Sequence, residues 1–414
     1  MGRTGFRAVL YSPGVAGFGH FRRNLLLARR FAAAYPDAAF LMLTEARQAG
    51  GLGLPDNVDC LSLPALRQDQ DGARRSGSPL QLSDVQTLRA AVLEAALLRF
   101  EPDVALVDHL PTGVLGELHP SLPRLRAEFG TRLVLGLPDI LGESAAVQAD
   151  WAGGGHAQLI RELYDAVWIY GDPWVYDALT EYALPADIAA RAEYTGYLNP
   201  AYEREHAPLE NADCLATQLF QQERVVLCLP AEGPEGVRLA EAFLASELPA
   251  GTTGVLLADP AMASSVRERL VAQVAARRGR FRVLGMIAEP ARLLAHAERV
   301  ITMGGYDRVT EAVALGKQTL VVPRTHSGRE QWIRARRFNE LGLLDLLHPD
   351  HLSPAALGGW LQRSRVPGRF ARRALDMHGL DRAVRLLELV LTDRWSDPAA
   401  HGRRRVREGG LAIA

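Results

Sequence analysis

Cysteine is scarce: Cys60, Cys214 and Cys228 are the only three in 414 residues. Their spacing matches no metal-binding pattern, and an odd count argues against a disulfide framework. They read as reduced thiols and point to a cytoplasmic protein. Long apolar runs are also missing. No stretch is long enough to span a bilayer, and the opening MGRTGFRAVLYSPG lacks the layout of a secretion signal. Nor does one sign of charge dominate. The 47 Lys and Arg stand against 48 Asp and Glu, a formal net charge of −1, which gives no broad pull toward nucleic acid or anionic lipid. The pairs Arg22, Arg23 and Arg277, Arg278 and the run 403–405 therefore read as solvated faces or tail. There is no internal repeat. What is present is apolar material, 48% of the residues, in a chain long enough for two domains of ordinary size.

That material is laid out as short apolar runs alternating with helical periodicity. Residues 6–11 read as a strand, followed by Ser12, Pro13, Gly14 and then Gly17, Phe18, Gly19, His20, with a helix over 21–35. Further strands are expected at 39–43, 57–63, 102–107, 132–137 and 165–170, with an amphipathic helix at 85–100. The pattern restarts at 225–229 and continues through 254–258, 281–285, 300–303 and 319–322. This alternation predicts an α/β protein of two doubly wound, Rossmann-like domains facing each other across a cleft. The first spans residues 1–198, a polar linker 199–212, the second domain 213–378, a terminal helix 379–395 and a flexible tail 396–414. The polar segment 67–83 reads as a mobile loop. Its Asp69, Gln70, Asp71 string has no strand before it to fix the carboxylates, so no metal site is expected there.

Four places combine chemistry with position. His20 starts the helix after the glycine loop, where it either caps that helix or projects into the cleft. Two glycines beside it let a ligand approach the backbone. Asp108 and His109 end the strand at 102–107; Asp108 either orients an imidazole or caps the next turn. Gly304 and Gly305 close another strand, with Asp307 as expected N-cap of the following helix and Glu311 near its start. A carboxylate there accepts from two adjacent hydroxyls, as a ribose presents them, or is simply favoured by the helix dipole. Glu330 and Gln331 open the helix after the next strand and offer acceptors and donors to sugar hydroxyls, or form a solvated pair.

The stretch from Val300 onward, VITMGGYDRVTEAVALGKQTLVVPRTHSGREQW, resembles the donor half of GT-B glycosyltransferases similar to the N-acetylglucosaminyltransferase that makes lipid II. It is closer to a bacterial group of predicted glycosyltransferases built around MGGYD…E…VVPR…REQ. The likeness runs from the GFGH motif to HPDHL, most of the chain. It implies a nucleotide sugar, UDP- or dTDP-linked, as donor and a small-molecule or lipid-linked acceptor, with no other cofactor. It places backbone at Ile287 on the base, Glu311 on the ribose, Glu330 and Gln331 on the sugar, and Gly19 and the turn Gly304, Gly305, Tyr306 near the diphosphate. Arg324 and His326 would neutralise phosphate in place of a metal, unless Arg324 pairs with a structural acid. His20 would be the base, and the last helix would cross back to the first domain. Two departures stand out. Pro138 stands where that group has a basic residue before Asp139, and the turn 230–236, PAEGPEG, puts Glu232 and Glu235 where a diphosphate meets amide donors. Metal-independent transfer is the first expectation. A nucleotide-sugar hydrolase or epimerase on the same scaffold is the second, and a non-catalytic nucleotide-sugar-binding protein the third.

Overall fold

A computed structural model describes residues 5–13, 19–46, 53–68, 74–199, 224–259, 262–275, 279–285, 290–325, 329–363, 375–393 and 395. In the first half the order is β1 (Arg7–Tyr11), α1 (Gly19–Ala34), β2 (Ala39–Thr44), β3 (Val58–Ser62), β4 (Leu66–Gln68), β5 (Arg74–Ser76), α2 (Leu82–Phe100), β6 (Val104–Asp108), α3 (Ser121–Phe129), β7 (Arg132–Pro138), α4 (Ser144–Gly153), α5 (His156–Leu163), β8 (Ala166–Tyr170), α6 (Ala178–Glu181), α7 (Ala186–Ala189) and β9 (Ala192–Tyr194). Seven of these strands form one sheet in the order β3-β2-β1-β6-β7-β8-β9, parallel throughout. Parallel strands covered on both faces need near-continuous apolar sequence, and VALVD in β6 and AVWIY in β8 are buried at every position.

The second half runs β10 (Arg224–Leu229), α8 (Pro234–Ala245), β11 (Thr252–Leu257), α9 (Ser264–Ala275), β12 (Phe281–Leu284), α10 (Pro290–His296), β13 (Arg299–Thr302), α11 (Tyr306–Ala314), β14 (Gln318–Val321), α12 (Glu330–Glu340), β15 (Asp345–Leu346), α13 (Pro354–Leu361) and α14 (Gly379–Leu391). Its sheet, β12-β11-β10-β13-β14-β15, is again parallel. Each sheet therefore reverses its winding once, between β1 and β6 and between β10 and β13. The crevice outside the strands' carboxyl ends at such a reversal is where open α/β sheets hold ligands.

One expectation fails in the first half. The segment 67–83 is not a plain loop: β4 and β5 pair antiparallel, Leu66 opposite Ser76 and Gln68 opposite Arg74. Strands this short and polar carry no alternation to read. The acidic string at 69–71 lies outside the described residues.

The halves share core as well as a cleft. The last helix, α14, lies on α1: Arg30 pairs with Asp381 at 3.0 Å, and Tyr35 Oη donates to the Val384 carbonyl at 3.4 Å. Leu380, Ala383, Leu386 and Val390 of α14 join Leu25, Leu26 and Phe31 of α1 in a single apolar cluster, and Val309, Val313 and Phe338 of the second sheet's helices belong to it too. Where the chain leaves the first domain it runs beside the segment that returns to it. Tyr197 N donates to the Asp376 carbonyl at 2.7 Å, Gly379 N donates to the Tyr197 carbonyl at 3.1 Å, and Leu198 bridges His378. Gly379 is required at this contact, because a Cβ there would lie 2.6 Å from the Tyr197 carbonyl oxygen.

Candidate active site at the two sheet reversals

His20, the second residue of α1, and Asp108, the last of β6, meet at the first sheet's reversal. His20 Nδ1 lies 2.7 Å from Asp108 Oδ2. Asp108 is fully buried, and its carboxylate serves the imidazole and an arginine rather than capping the next turn. Arg23, one helical turn after His20, donates from Nη2 to Asp108 Oδ1 at 2.9 Å and Oδ2 at 2.7 Å, and from Nε to Oδ1 at 3.2 Å. Burial alone would raise the Asp108 carboxyl; the charges of Arg23 and His20 and their hydrogen bonds outweigh it and hold it down at about 2. Asp108 is thus an anion at any working pH. Arg23 Nη2, which can only donate, also stands 2.7 Å from His20 Nδ1 and competes with Asp108 for it, a hydrogen bond that forms only when Nδ1 is bare. Only the tautomer with its proton on Nδ1, donated to Asp108, leaves Nε2 free to take a proton from a substrate.

His109, next in line, adopts a left-handed backbone with φ 68°, its N–H fixed to the Gly136 carbonyl at 2.7 Å. Its ring sits 5.2 Å from that of His20. Its Nδ1 is shut off from solvent and has no hydrogen-bond partner. Burial first, then the neighbouring His20 and Arg23, push the imidazole down to about 3, so His109 stays neutral.

Across the cleft, α11 faces this group. Its N-cap is Gly305, not Asp307, and Asp307 sits inside the first turn. A Cβ on Gly19 would come within 2.6 Å of Asp307 Oδ2, so the glycine at the start of α1 allows the close approach of the two domains. Burial raises the Asp307 carboxyl, and Arg23 and Arg22 counter it. Glu311 lies in the second turn of α11 and is 2% exposed, not a surface acid. Its Oε1 accepts from Arg22 Nη2 at 2.5 Å, and its Oε2 from Arg308 Nη1 at 3.0 Å. Burial, then the nearby Arg22 charge, lowers Arg308, as expected for cations crowded with too little anion between them.

The remaining candidates fall as follows. Gly304 packs under α12, where a Cβ would meet the Gln331 carbonyl oxygen at 2.7 Å. Tyr306 is buried with the guanidinium carbons of Arg23 and Arg334 at 5.3 and 5.8 Å from its ring centre. Gln331 is buried, its Oε1 accepting from Arg324 N at 3.1 Å, while Glu330 beside it is half-buried at the start of α12. Arg324 Nη2 donates to the Glu232 carbonyl, which ties the arginine to the acidic turn, and its Nε is buried without a partner. Burial, reinforced by Asp259, raises the Glu232 carboxyl, and Arg324 counters it. Ile287 and His326 lie outside the described residues. Among the described residues no three His, Cys, Asp or Glu side chains gather as a metal site. Asp139 holds a second buried charge contact between the domains: Arg334 Nη2 donates to its Oδ1 at 2.8 Å.

The sequence pattern assigned Arg22 and Arg23 to solvent, and this is wrong: they are 8% and 2% exposed. The three-residue spacing from His20 to Arg23, one face of a helix, was the available signal. Nothing local could show that Arg22 reaches an acid 289 residues away.

No protein-family model matches the chain, and a search of curated proteins finds no match. Solved structures do match. The glycotransferase of kitacinnamycin superposes with a TM-score of 0.57 over 94% of this chain and 99% of its own, at 16% identity. UDP-GlcNAc 2-epimerase from Neisseria meningitidis, bound to UDP-GlcNAc, gives 0.58 over 94% and 99%, at 14% identity. A UDP-glucosyltransferase from Polygonum tinctorium gives 0.56 over 97% and 99%, at 16% identity. The fold is therefore GT-B: two parallel-sheet α/β domains arranged as in these proteins. No helix among the described residues is long and apolar enough to cross a membrane.

Proposed function

We propose that the protein is a glycosyltransferase that moves a sugar from a nucleotide sugar, UDP- or dTDP-linked, to an acceptor hydroxyl or amine without a metal. The observation that carries this is the 2.7 Å contact of His20 with the buried Asp108 at a sheet reversal, opposite α11. Asp108 fixes the imidazole tautomer and stabilises the imidazolium that forms. Nε2 of His20 removes the acceptor proton as the acceptor attacks the anomeric carbon. The bond from that carbon to the diphosphate breaks, and the nucleoside diphosphate leaves. Arg324 and His326 are assigned to its charge, with Arg22 and Arg308, which meet at Glu311 of α11, as further cations. Glu311 is assigned to the ribose hydroxyls, Ile287 backbone to the base, and Glu330 with Gln331 to the sugar. The motif likeness to the lipid II-forming transferase supports these donor assignments, and a lipid-linked acceptor is one of the classes it suggests.

A second reading is a nucleotide-sugar hydrolase or epimerase. The similarity to a UDP-GlcNAc 2-epimerase and the arginine pair after the glycine loop favour it. A non-catalytic binder has only the acidic turn at Glu232 and Glu235 in its favour. The deciding experiment incubates the protein with UDP-, GDP- and dTDP-sugars, with and without acceptors and chelator. Transfer that survives chelation and falls about 10²–10⁴-fold in His20→Ala supports the first reading. Release of free sugar or an epimer without acceptor supports the second. Calorimetric binding with no product under any condition leaves the third.

A further inference from the structure

His109 has no task in the chemistry described above, yet the fold goes to some length to place it. A left-handed backbone costs a non-glycine residue on the order of 1–3 kcal/mol, and such conformations cluster at ligand sites. Here φ is 68°, held by the 2.7 Å bond from His109 N to the Gly136 carbonyl and by Leu110 N on the Asp108 carbonyl at 2.8 Å. The ring lies 5.2 Å from that of His20 and tilted 42° to it, on a residue that is half-buried rather than sealed in. An enclosed nitrogen without a partner is a cost that native proteins seldom leave unanswered. A second one lies close by: Tyr170, fully buried, has an unpartnered hydroxyl packed against Gly136, where a Cβ would stand 2.1 Å from it. The charges and titratable groups that act on His109 are His20 and Asp108 beside it, Arg23 from α1 and Arg74 from β5.

A neutral imidazole beside a base cannot compete for the same proton, but it can hydrogen-bond a group next to the one being deprotonated. We propose that His109 positions the acceptor by binding a second polar group adjacent to the attacking hydroxyl. The preferred acceptors then carry vicinal hydroxyls, one held by His20 and the other by His109. The inference rests on the transferase reading and refines it. Two rings 5.2 Å apart, each with a hydrogen-bond reach of about 3 Å, converge on neighbouring oxygens rather than on one isolated hydroxyl. His109 is on this view a positioning residue, and the proton still goes from the attacking oxygen to His20.

The test uses the full chain with a UDP-sugar that the wild type consumes, and two probe acceptors, catechol and phenol. His109→Gly keeps the left-handed turn and removes the ring; His109→Asn keeps the turn and a short hydrogen-bonding group. The expected result is that the wild type prefers catechol over phenol by at least tenfold in kcat/KM. His109→Gly should lose that preference through a higher catechol KM, His109→Asn should restore part of it, and donor KM and acceptor-free donor hydrolysis should stay unchanged in both. Equal use of catechol and phenol by the wild type, or an unaltered preference in His109→Gly, overturns the proposal. So does a loss of donor binding and melting temperature in both variants, which marks a structural residue. A wild type that neither binds nor consumes any nucleotide sugar overturns the transferase reading itself and His109's role with it.

Discussion

Among the described residues two buried ion pairs join the halves of this molecule, and they are finished differently. Arg334–Asp139 is closed on every side. Oδ1 of Asp139 receives Arg334 Nη2 at 2.8 Å and Ile140 N at 2.8 Å, Oδ2 receives Tyr197 Oη at 3.3 Å, and Arg334 Nη1 has the Gly304 carbonyl at 2.9 Å. The carboxylate of Glu311 is less fully engaged than that of Asp139. Each oxygen of Glu311 accepts one bond, from Arg22 or Arg308, and the Arg22 side chain is 10% exposed against 2% for Arg334. A buried pair with all its lone pairs used fixes geometry, and one with open capacity can exchange partners. On the proposed transferase reading, the contrast gives the Asp139 side the holding of the domains and the Glu311 side the ligand, with the nucleotide's ribose taking the place of Arg22 on Glu311.

The contrast fails if the two pairs respond alike to isosteric substitution. Asp139→Asn should have the largest effect: breaking this pair leaves Arg334 buried without its anion and costs about 3–5 kcal/mol in urea unfolding. Glu311→Gln should lower the unfolding free energy by less, since Asp307 remains near Arg22, but weaken nucleotide-sugar binding by about 1.5–3 kcal/mol in calorimetry. If Asp139→Asn weakens the donor more than Glu311→Gln does, the assignment is reversed.

The pH dependence sharpens the comparison on the first-domain side. His109 is held at about 3 in the folded chain, below the ordinary histidine value of about 6.5. Above that ordinary value both states are neutral and this residue adds no pH dependence. As pH falls below it, the unfolded chain binds a proton that the folded site refuses, so stability drops by up to about 1.4 kcal/mol per unit down to pH about 3. Burial first, then His20, Asp108, Arg23 and Arg74, set that environment, and melting scans of His109→Asn between those limits should show a shallower slope. The smallest effect belongs to the exposed contact between the domains, Arg329 with Glu143. Arg329→Gly suits the left-handed φ of 57° and should change stability by less than about 1 kcal/mol.

The two parallel sheets were legible because buried strands are nearly all apolar, as in VALV before Asp108 and in AVWIY. The β4–β5 pair was not, since strands of three residues with one apolar side chain between them have no period to detect. His20, Asp108 and Glu311 stood out by chemistry at expected strand and helix ends. Their partners could not, because the bonds that define the site link residues far apart in sequence: Arg22 to Glu311 across 289 positions, Arg23 to Asp108 across 85, and Arg334 to Asp139 across 195. Charge pattern alone sent Arg22 and Arg23 to the surface, and only the fold shows the acids that bring them inside. Asp307 looked like a cap because Asp is a common one; Gly305 took that place, and Asp307 turned toward the arginines of α1.

The paired crossing at Tyr197 and His378 sets a limit on how the two lobes can swing. A single connecting strand works as a swivel, free to twist as well as bend. Two strands laced side by side, as here by Tyr197 N to Asp376, Gly379 N to Tyr197 and the Leu198–His378 bridge, act as a strip hinge with one axis. The lobes can gape along that line, and a sideways shear would tear the lacing. A ligand held as proposed, by residues of both lobes, would meet jaws whose relative motion this lacing restricts to one arc.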